Sequence, residues 1–433
     1  MGVTEMRTLN TKASHVCIFE DNLYRRLFPL VYFRPVYDLR CGIGTLREKI
    51  AQGFGRTPVS LHCRRDLAEV MEEWYPQLAV NRIESGDCLF INGRVVADSK
   101  FFRTLEDTRE ENIVLVHDGT VVAAFLTGRD LEALKHRLES VLSLADFGDL
   151  PTKEIDVQMI NYPWDLVHRN GEAIRADFQT VARRKKHKGL EGKVILGAHL
   201  VNRKSIILER GAVVKPGVVL DAEEGPIYIG RGAEIFPNAT VIGPAYIGDN
   251  TYIKTGAKIY GNTSIGEFSK VGGEVEGCII HSYSNKQHDG FLGHSYLCSW
   301  VNLGAGTNNS DLKNNYGNVT VEIDGQKVDS GSLFVGLFMG DHSKSGINSM
   351  FNTGTVVGVC CNLFGADFPP KYVPSFSWGG AQALTTHDLD RCAKVAERVM
   401  ARRQKVMTAA ELKLMKRVFE LTREERRSRG LVN

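Results

Sequence analysis

The chain has 433 residues, enough for about two or three domains with sizeable cores. Hydrophobic residues make up 43% and the formal charge is only +3, which excludes a disordered chain and a protein that works by coating nucleic acid. No segment approaches the ~18 unbroken apolar residues of a membrane span, and the opening MGVTEMRTLNTK lacks the apolar core of a signal peptide. A cytoplasmic location without membrane contact is the default expectation. Nine cysteines, an odd number with no Cys-x-x-Cys, indicate neither a disulfide framework nor a zinc knuckle, and are expected to stay reduced.

Residues 14–180 read as an α/β domain. Strand candidates HVCIF, CLFIN, IVLVHDG and VVAAFL alternate with helical stretches such as RDLAEVMEEWY and RDLEALKHRLESVLSL. His117-Asp118-Gly119, between two apolar runs, signals a hairpin. The run Arg183-Arg184-Lys185-Lys186-His187-Lys188 sits in a segment, 181–191, that reads as a solvated basic linker.

Counting in steps of six from Ile229 gives Ile235, Val241, Ile247, Ile253, Ile259, Ile265 and Val271, an unbroken aliphatic series. Four residues after each member stands Ala233, Ala239, Ala245, Thr251, Ala257, Thr263, Ser269 or Val275, small in all but the last case. This is a hexapeptide repeat. It predicts a three-sided coil with a short strand on each face, aliphatic side chains inward, small ones at the corners, and turns at the intervening Gly, Asn and Asp residues. Ordinary alternating strands have period two and cannot produce it. The register extends upstream through Leu208, Val214 and Leu220, and resumes downstream at Ile279, Phe291, Leu297 and Leu303. The polar stretch NNSDLKNNYGNVTVEIDGQKVDSGS then interrupts it before Val335, Ile347 and Val359 restore the spacing, with Asp341 and Thr353 as weak members. Such an insertion is expected to be a loop thrown outward, of the kind that often carries function.

The β-helix is expected over 192–365. The aromatic, proline-rich PPKYVPSFSWGG that follows reads as a strap against the coil end or a neighbouring subunit. Within 366–433, Leu389, Cys392, Val395, Ala396, Val399 and Met400 have helical spacing, and Thr408 with Glu411 forms a capping box before a second helix.

The segment His288-Asp-Gly-Phe-Leu-Gly, followed by Asn302-Leu-Gly-Ala-Gly-Thr307 and then Asn315-Tyr316-Gly317, resembles the acetyltransferase half of the bifunctional glucosamine-1-phosphate acetyltransferase/uridylyltransferase family. The resemblance covers roughly residues 205–365 well and the N-terminal half only in layout. It implies a left-handed parallel β-helix and a homotrimer with sites between neighbouring coils. It also implies acetyl-CoA as acyl donor and an amino sugar or sugar phosphate as acceptor. His288 would be the general base, and a neutral imidazole with an ordinary pKa near 6.5 suits that task. Asn302, Asn315, Tyr316 and Phe291 would contact the acceptor, while Gly304, Ala305 and Gly306 would let backbone amides approach the thioester. His294 is expected to be structural. A zinc site of His281, His288 and His294, like that of β-helical carbonic anhydrases, does not match that family's spacing.

Three positions depart from the family. Its phosphate-binding lysine is Cys278 or a neighbour here, with Lys270 and Lys286 the nearest lysines; its tyrosine after the histidine is Phe291, and its serine near CoA is Leu337. The N-terminal half lacks the early Gly-x-Gly-Thr-Arg loop, since Gly42-Ile-Gly44-Thr45 comes too late. Arg34-Pro35, Asp38-Leu-Arg40, Arg47-Glu48-Lys49, Ile91-Asn92-Gly93 and Tyr162-Pro-Trp-Asp165 resemble a divergent branch of sugar nucleotidyltransferase-like domains. The resemblance would make Arg34, Arg40, Arg47 and Lys49 nucleotide-binding, with Mg2+ required if the domain is active; structural ion pairs explain the same residues equally. Two rivals remain at this point: a nucleotidyltransferase whose β-helix only oligomerises or regulates, and a non-catalytic scaffold.

Overall fold

A computed structural model describes residues 13–108, 110–138, 140–184 and 189–431. The opening MGVTEMRTLNTK and Lys185–Lys188 of the basic run lie outside the described residues. The chain divides into two compact units. The first comprises the chain up to Leu27, Phe33–Leu39 and Gly44–Asn161; the second comprises Phe28–Tyr32, Arg40–Ile43 and Tyr162–Asn433.

The first unit is built on a six-stranded sheet. Its strands are β1 (Val16–Phe19), β2 (Val59–His62), β3 (Asp87–Asn92), β4 (Ile113–His117), β5 (Thr120–Thr127) and β6 (Thr152–Glu154), in the order β2-β1-β3-β5-β4-β6. The apolar runs explain the centre: all four residues of β1 are buried, and the strand pairs in parallel with β2 and β3. Asp118 and Gly119 take φ of 48° and 70°, the two left-handed residues that a tight β4–β5 hairpin needs. Helix α1 (Leu46–Gly53) starts from a Thr45–Glu48 capping box, α2 spans Ala68–Trp74 and α3 spans Ser99–Asp107. The long helix expected after Arg129 is shorter: α4 covers Gly128–Lys135. Leu142 is instead buried, and its backbone bonds to Glu20 and Asn22, so that stretch extends the parallel pairing beyond β1.

The second unit is a parallel β-solenoid with a strand on each of three faces, one of them a nine-stranded stack. The aliphatic series from Ile229 to Val271 is buried throughout, each member at most 1% exposed, and the small residues from Ala233 to Val275 are equally buried. Left-handed φ values at Gly232, Asn238, Asn250, Gly256 and Asn262 mark the turns. One corner departs from the Gly/Asn/Asp expectation. Phe268, Tyr283 and Trp300 hold φ of 57°, 66° and 63°, and their rings stack with centroids 5.1 Å and 4.4 Å apart. Ring-on-ring contact offsets an uncommon backbone conformation for large side chains.

Downstream, the expected register holds at Leu297 and Leu303 but is one residue out at Ile279 and Phe291. Ile265 pairs with Ile280 and Val271 with Lys286, so these coils are shorter than 18 residues, and Leu292 rather than Phe291 points inward. After the insertion the buried series is Met339, Ser345, Phe351, Val357 and Leu363, whereas Ile347 is 71% exposed at a turn. The insertion contains a hairpin, Thr320–Ile323 with Gln326–Asp329, whose Val321 and Ile323 are buried. PPKYVPSFSWGG is a further coil and no strap, because Tyr372–Val373 and Ser377–Gly379 continue the sheets.

Helix α5 (Pro163–Arg184) lies on this solenoid. Its Asn170 donates to Asn262 O at 2.8 Å, and a Cβ on Gly171 would fall 1.8 Å from Asn262 Oδ1, so the helix requires glycine there. Helices α6 (Leu389–Ala401), α7 (Ala409–Leu421) and α8 (Arg423–Ser428) end the chain, with the Thr408–Glu411 box at α7. Arg40 grips both oxygens of Glu267 at 2.8 Å, and Tyr246 and Ser282 also donate to that carboxylate. Burial alone would raise Glu267, but Arg40 and these donors hold it down to about 2. Because the folded pKa is depressed, its contribution to stability is full above about pH 4.5 and is lost as pH falls toward 2. Thermal melts of Glu267→Gln should therefore show a smaller drop across that window than the parent; parallel curves would remove Glu267 from the acid response.

Candidate functional site

The solenoid site is a stack of turns. His288 is exposed on a turn that follows the strand Asn285–Lys286. The next turn, Gly304-Ala305-Gly306, lies directly against it: the Gly306 amide donates to Asp289 O at 3.0 Å, and a Cβ on Gly290 would meet Thr307 O at 2.1 Å. Gly304 is equally constrained, since its Cβ would meet Gly346 O at 2.2 Å. Glycine at 290 and 304 is thus demanded by the stacking of backbone on backbone. The Gly304 amide is committed to Ser345 O at 3.1 Å and Gly306 to Asp289 O, while among the described residues no carbonyl takes the Ala305 N–H. That amide is the one donor of the three open to a ligand. Asn302 is half-buried and pairs with Asn285, the strand residue three positions before His288.

Lys286 was not read as part of the site, because its coil is shortened. It points into the solenoid, 2% exposed, and its Nζ donates to Gly272 O and His288 O, each at 3.0 Å. Burial pushes its ammonium down to about 8 against the pull of Cys278, Asp289 and Glu274. Its charge thereby ties together two successive turns, one of them the turn of His288.

The other expected residues fall as follows. Phe291 points outward, half-buried, with its amide on Asn308 Oδ1 at 2.8 Å. Asn315 caps its own turn by accepting from the Gly317 amide at 3.1 Å, and Tyr316 is 70% exposed; neither touches His288. Leu337 is buried, and burial pushes the Cys278 thiol up to about 12. His294 donates through Nδ1 to Asp311 Oδ2 at 2.8 Å, while the His281 Nδ1 accepts from the Ser282 amide at 3.0 Å. Among the described residues, His281, His288 and His294 do not gather into a group able to hold a metal ion.

In the first unit, the carboxyl ends of β1 and β4 border a cleft of about 610 Å3, lined in part by Asp21, Arg26, His117, Asp118 and Asn161. Strand order reverses here, the usual position for a ligand on such a sheet. The carboxylates at this edge are already paired. Asp21 accepts from Arg94 at 2.6 Å and from Asn92 at 2.8 Å, Glu20 faces Arg64 at 3.3 Å, and Asp38 faces Arg47 at 2.7 Å. A magnesium ion needs several unengaged oxygens in octahedral array, so these residues do not fit it. His117, Asp118 and Glu154 approach within 4.8 Å of one another at the cleft rim, but Asp118 N already donates to Glu154 at 2.9 Å. Of the arginines assigned to nucleotide by resemblance, Arg47 serves Asp38, Arg40 serves Glu267 in the second unit, and Arg34 is buried. Lys49 is half-buried on α1. Of the arginines in the opening segment, Arg26 is the one that lines the cleft.

Residues 16–186 match the family described as Sugar nucleotidyl transferase, and 226–261 match Bacterial transferase hexapeptide repeats. Over residues 16–186 the chain is thus similar to sugar nucleotidyl transferase domains, and its solenoid carries hexapeptide repeats. It is 31% identical over 104 residues to a bifunctional sugar-1-phosphate nucleotidylyltransferase/acetyltransferase of Sulfurisphaera tokodaii, covering 24% of this chain and 26% of that protein. It is 29% identical over 235 residues to the bifunctional protein GlmU of Methanococcus aeolicus, covering 54% of this chain and 45% of that one. The matches therefore span less than half the length of either relative. A solved UDP-N-acetylglucosamine acyltransferase of Francisella novicida is 17% identical, over 55% of this chain and 85% of that chain, with a TM-score of 0.26. Among the described residues no helix is long and apolar enough to cross a membrane.

The Lys286 pair of bonds yields a signed expectation. With a folded pKa near 8 against an ordinary 10.5, the unfolded chain holds more protons between those values, so stability should rise with pH there. Replacing Lys286 by Met should abolish that rise in denaturant melts; an unchanged pH slope would place the lysine in an ordinary solvated setting.

Proposed function

We propose that this chain is an enzyme of nucleotide-sugar biosynthesis whose solenoid transfers an acyl group from acetyl-CoA to an amino sugar. The observation that carries the reading is the contact of the His288 turn with the Gly304-Ala305-Gly306 turn, which leaves the Ala305 amide uncommitted beside an exposed imidazole. The acceptor nitrogen attacks the thioester carbonyl while His288 takes its proton. The oxyanion is met by the Ala305 N–H, the C–S bond breaks, and the CoA sulfur leaves with a proton as the amide forms. Asn302 holds the acceptor, and Lys286 keeps the His288 turn in place through its carbonyl.

The first unit is read as a binder of a nucleotide or nucleotide sugar in its cleft, through Arg26 and the polar groups at the ends of β1 and β4. Nucleotidyl transfer there would call for Mg2+, which the arginine-paired Asp21, Glu20 and Asp38 do not fit, so no step is derived through the ion. This disfavours the rival in which the solenoid merely oligomerises a nucleotidyltransferase.

A homotrimer completes the proposal, because Asn315 and Tyr316 extend into solvent on a capped turn that a neighbouring coil can use. Light scattering should then give about three times 48.1 kDa, and a stable, active monomer would defeat the shared-site arrangement.

His288→Ala should lower acyl transfer at least ~10²-fold with little change in melting temperature, and Asn302→Ala should mainly raise the KM for the acceptor. Parallel losses of activity and stability would make His288 structural, and an unaltered acceptor KM would remove Asn302 from the site.

A further inference from the structure

One face of the solenoid carries an outward column in which Tyr252, Lys270, Asn285 and Asn302 stand in register on successive strands. Neighbouring strands lie ~4.8 Å apart, so the backbones of Lys270 and Asn302 are about 10 Å apart. Lys254 follows Tyr252 by two residues, with its Nζ 4.9 Å from the centre of the Phe236 ring, and the Lys270 Nζ lies 5.7 Å from the Tyr252 ring. The end of α6 brings Arg402 and Arg403 onto the same column, where Arg403 donates to Asn285 Oδ1 at 3.0 Å.

Four cations from two distant parts of the chain therefore share one patch. The charges acting on Lys270 are those of Arg403, Lys254 and Arg402, with no carboxylate among them. Glu234, the acid next along the column below Tyr252, is taken by Lys215 at 2.8 Å. Burial first, and then this crowding, push Lys270 and Arg403 below their ordinary values. The C-terminal dipole of α6 favours Arg402 and Arg403, and ring contacts favour Lys254 and Lys270, but neither brings a neutralising charge to the four cations together. An anion of charge two or more relieves the repulsion of all four, and arginine with lysine is the pairing that phosphate oxygens accept.

We propose that Lys254, Lys270, Arg402 and Arg403 seat a phosphate group carried by a substrate of the acyl-transfer site, with Asn285 positioning the Arg403 guanidinium. The inference rests on the acyl-transfer reading for the identity of the carrier, since the column runs directly to Asn302. Phosphate can arrive there on the acyl donor, as part of CoA, or on the acceptor, as a sugar phosphate or nucleotide sugar.

Calorimetry on the full chain separates these sources. Inorganic pyrophosphate, CoA with pantetheine, and glucosamine 1-phosphate with glucosamine are titrated into the parent, Arg403→Gln and Lys270→Gln, with acyl transfer assayed alongside. Each variant should weaken the phosphate-bearing ligand about 10- to 100-fold and leave its phosphate-free counterpart unchanged. A loss confined to CoA assigns the seat to the donor, and one confined to glucosamine 1-phosphate assigns it to the acceptor. If either variant melts early, Lys254→Gln, just beyond the strand Tyr252–Ile253 on the same patch, makes the same test. Affinities within twofold of the parent for every phosphate ligand overturn the seat, even with acyl transfer intact. Pyrophosphate binding that the variants lose, in a parent that transfers no acyl group, keeps the seat and overturns the acyl-transfer reading.

Discussion

Each coil of the solenoid rests on the backbone of the coil before it, and that requirement governs the site as much as the core. Inward aliphatic side chains at every sixth residue remove apolar surface from water on all three faces, at about 25 cal/mol per Å2. Stacking then forces corresponding corners into contact, so residues far apart in sequence meet wherever they share a corner. His288 and the Gly304-Ala305-Gly306 turn are neighbours for this reason. The same geometry commits the amides of Gly304 and Gly306 to carbonyls of adjacent coils and leaves that of Ala305.

Charge inside this stack follows a different logic. Lys286 occupies a core position where the repeat calls for an aliphatic side chain, and it is held by two carbonyls with no carboxylate bonded to it. A buried ammonium so placed costs stability, and its retention is understandable if the turn it fixes is the one that carries His288. In the first unit the pattern is reversed. Glu20, Asp21 and Asp38 are buried, each neutralised by an arginine, which makes the sheet edge rigid and closes it to a divalent ion.

The repeat was legible where each hexad is whole. From Ile229 to Val271 the aliphatic and small positions are those that the spacing predicts. It failed where coils contract: the step from Ile265 to Ile280 shifts the phase, so Phe291 was expected inside where Leu292 lies, and Lys286 was overlooked as an inward residue. The phase chosen after the insertion missed as well, since Ile347 is exposed while Phe351 is buried. The histidine and the glycine turn could be read because each is a contiguous motif. The cationic column could not, because Lys270 and Arg403 meet only through the path of α6 across the coils, and no local pattern encodes that path. The arginines near the N-terminus were misleading for a similar reason, as their carboxylate partners, such as Glu267 for Arg40, are distant in sequence.

A crystal structure of the full chain with acetyl-CoA bound addresses the central claim most directly. The account predicts the thioester oxygen within about 3 Å of the Ala305 nitrogen, with the His288 imidazole facing the side from which an amine attacks. Acetyl-CoA bound elsewhere on the molecule, or a thioester turned away from both groups, would contradict it.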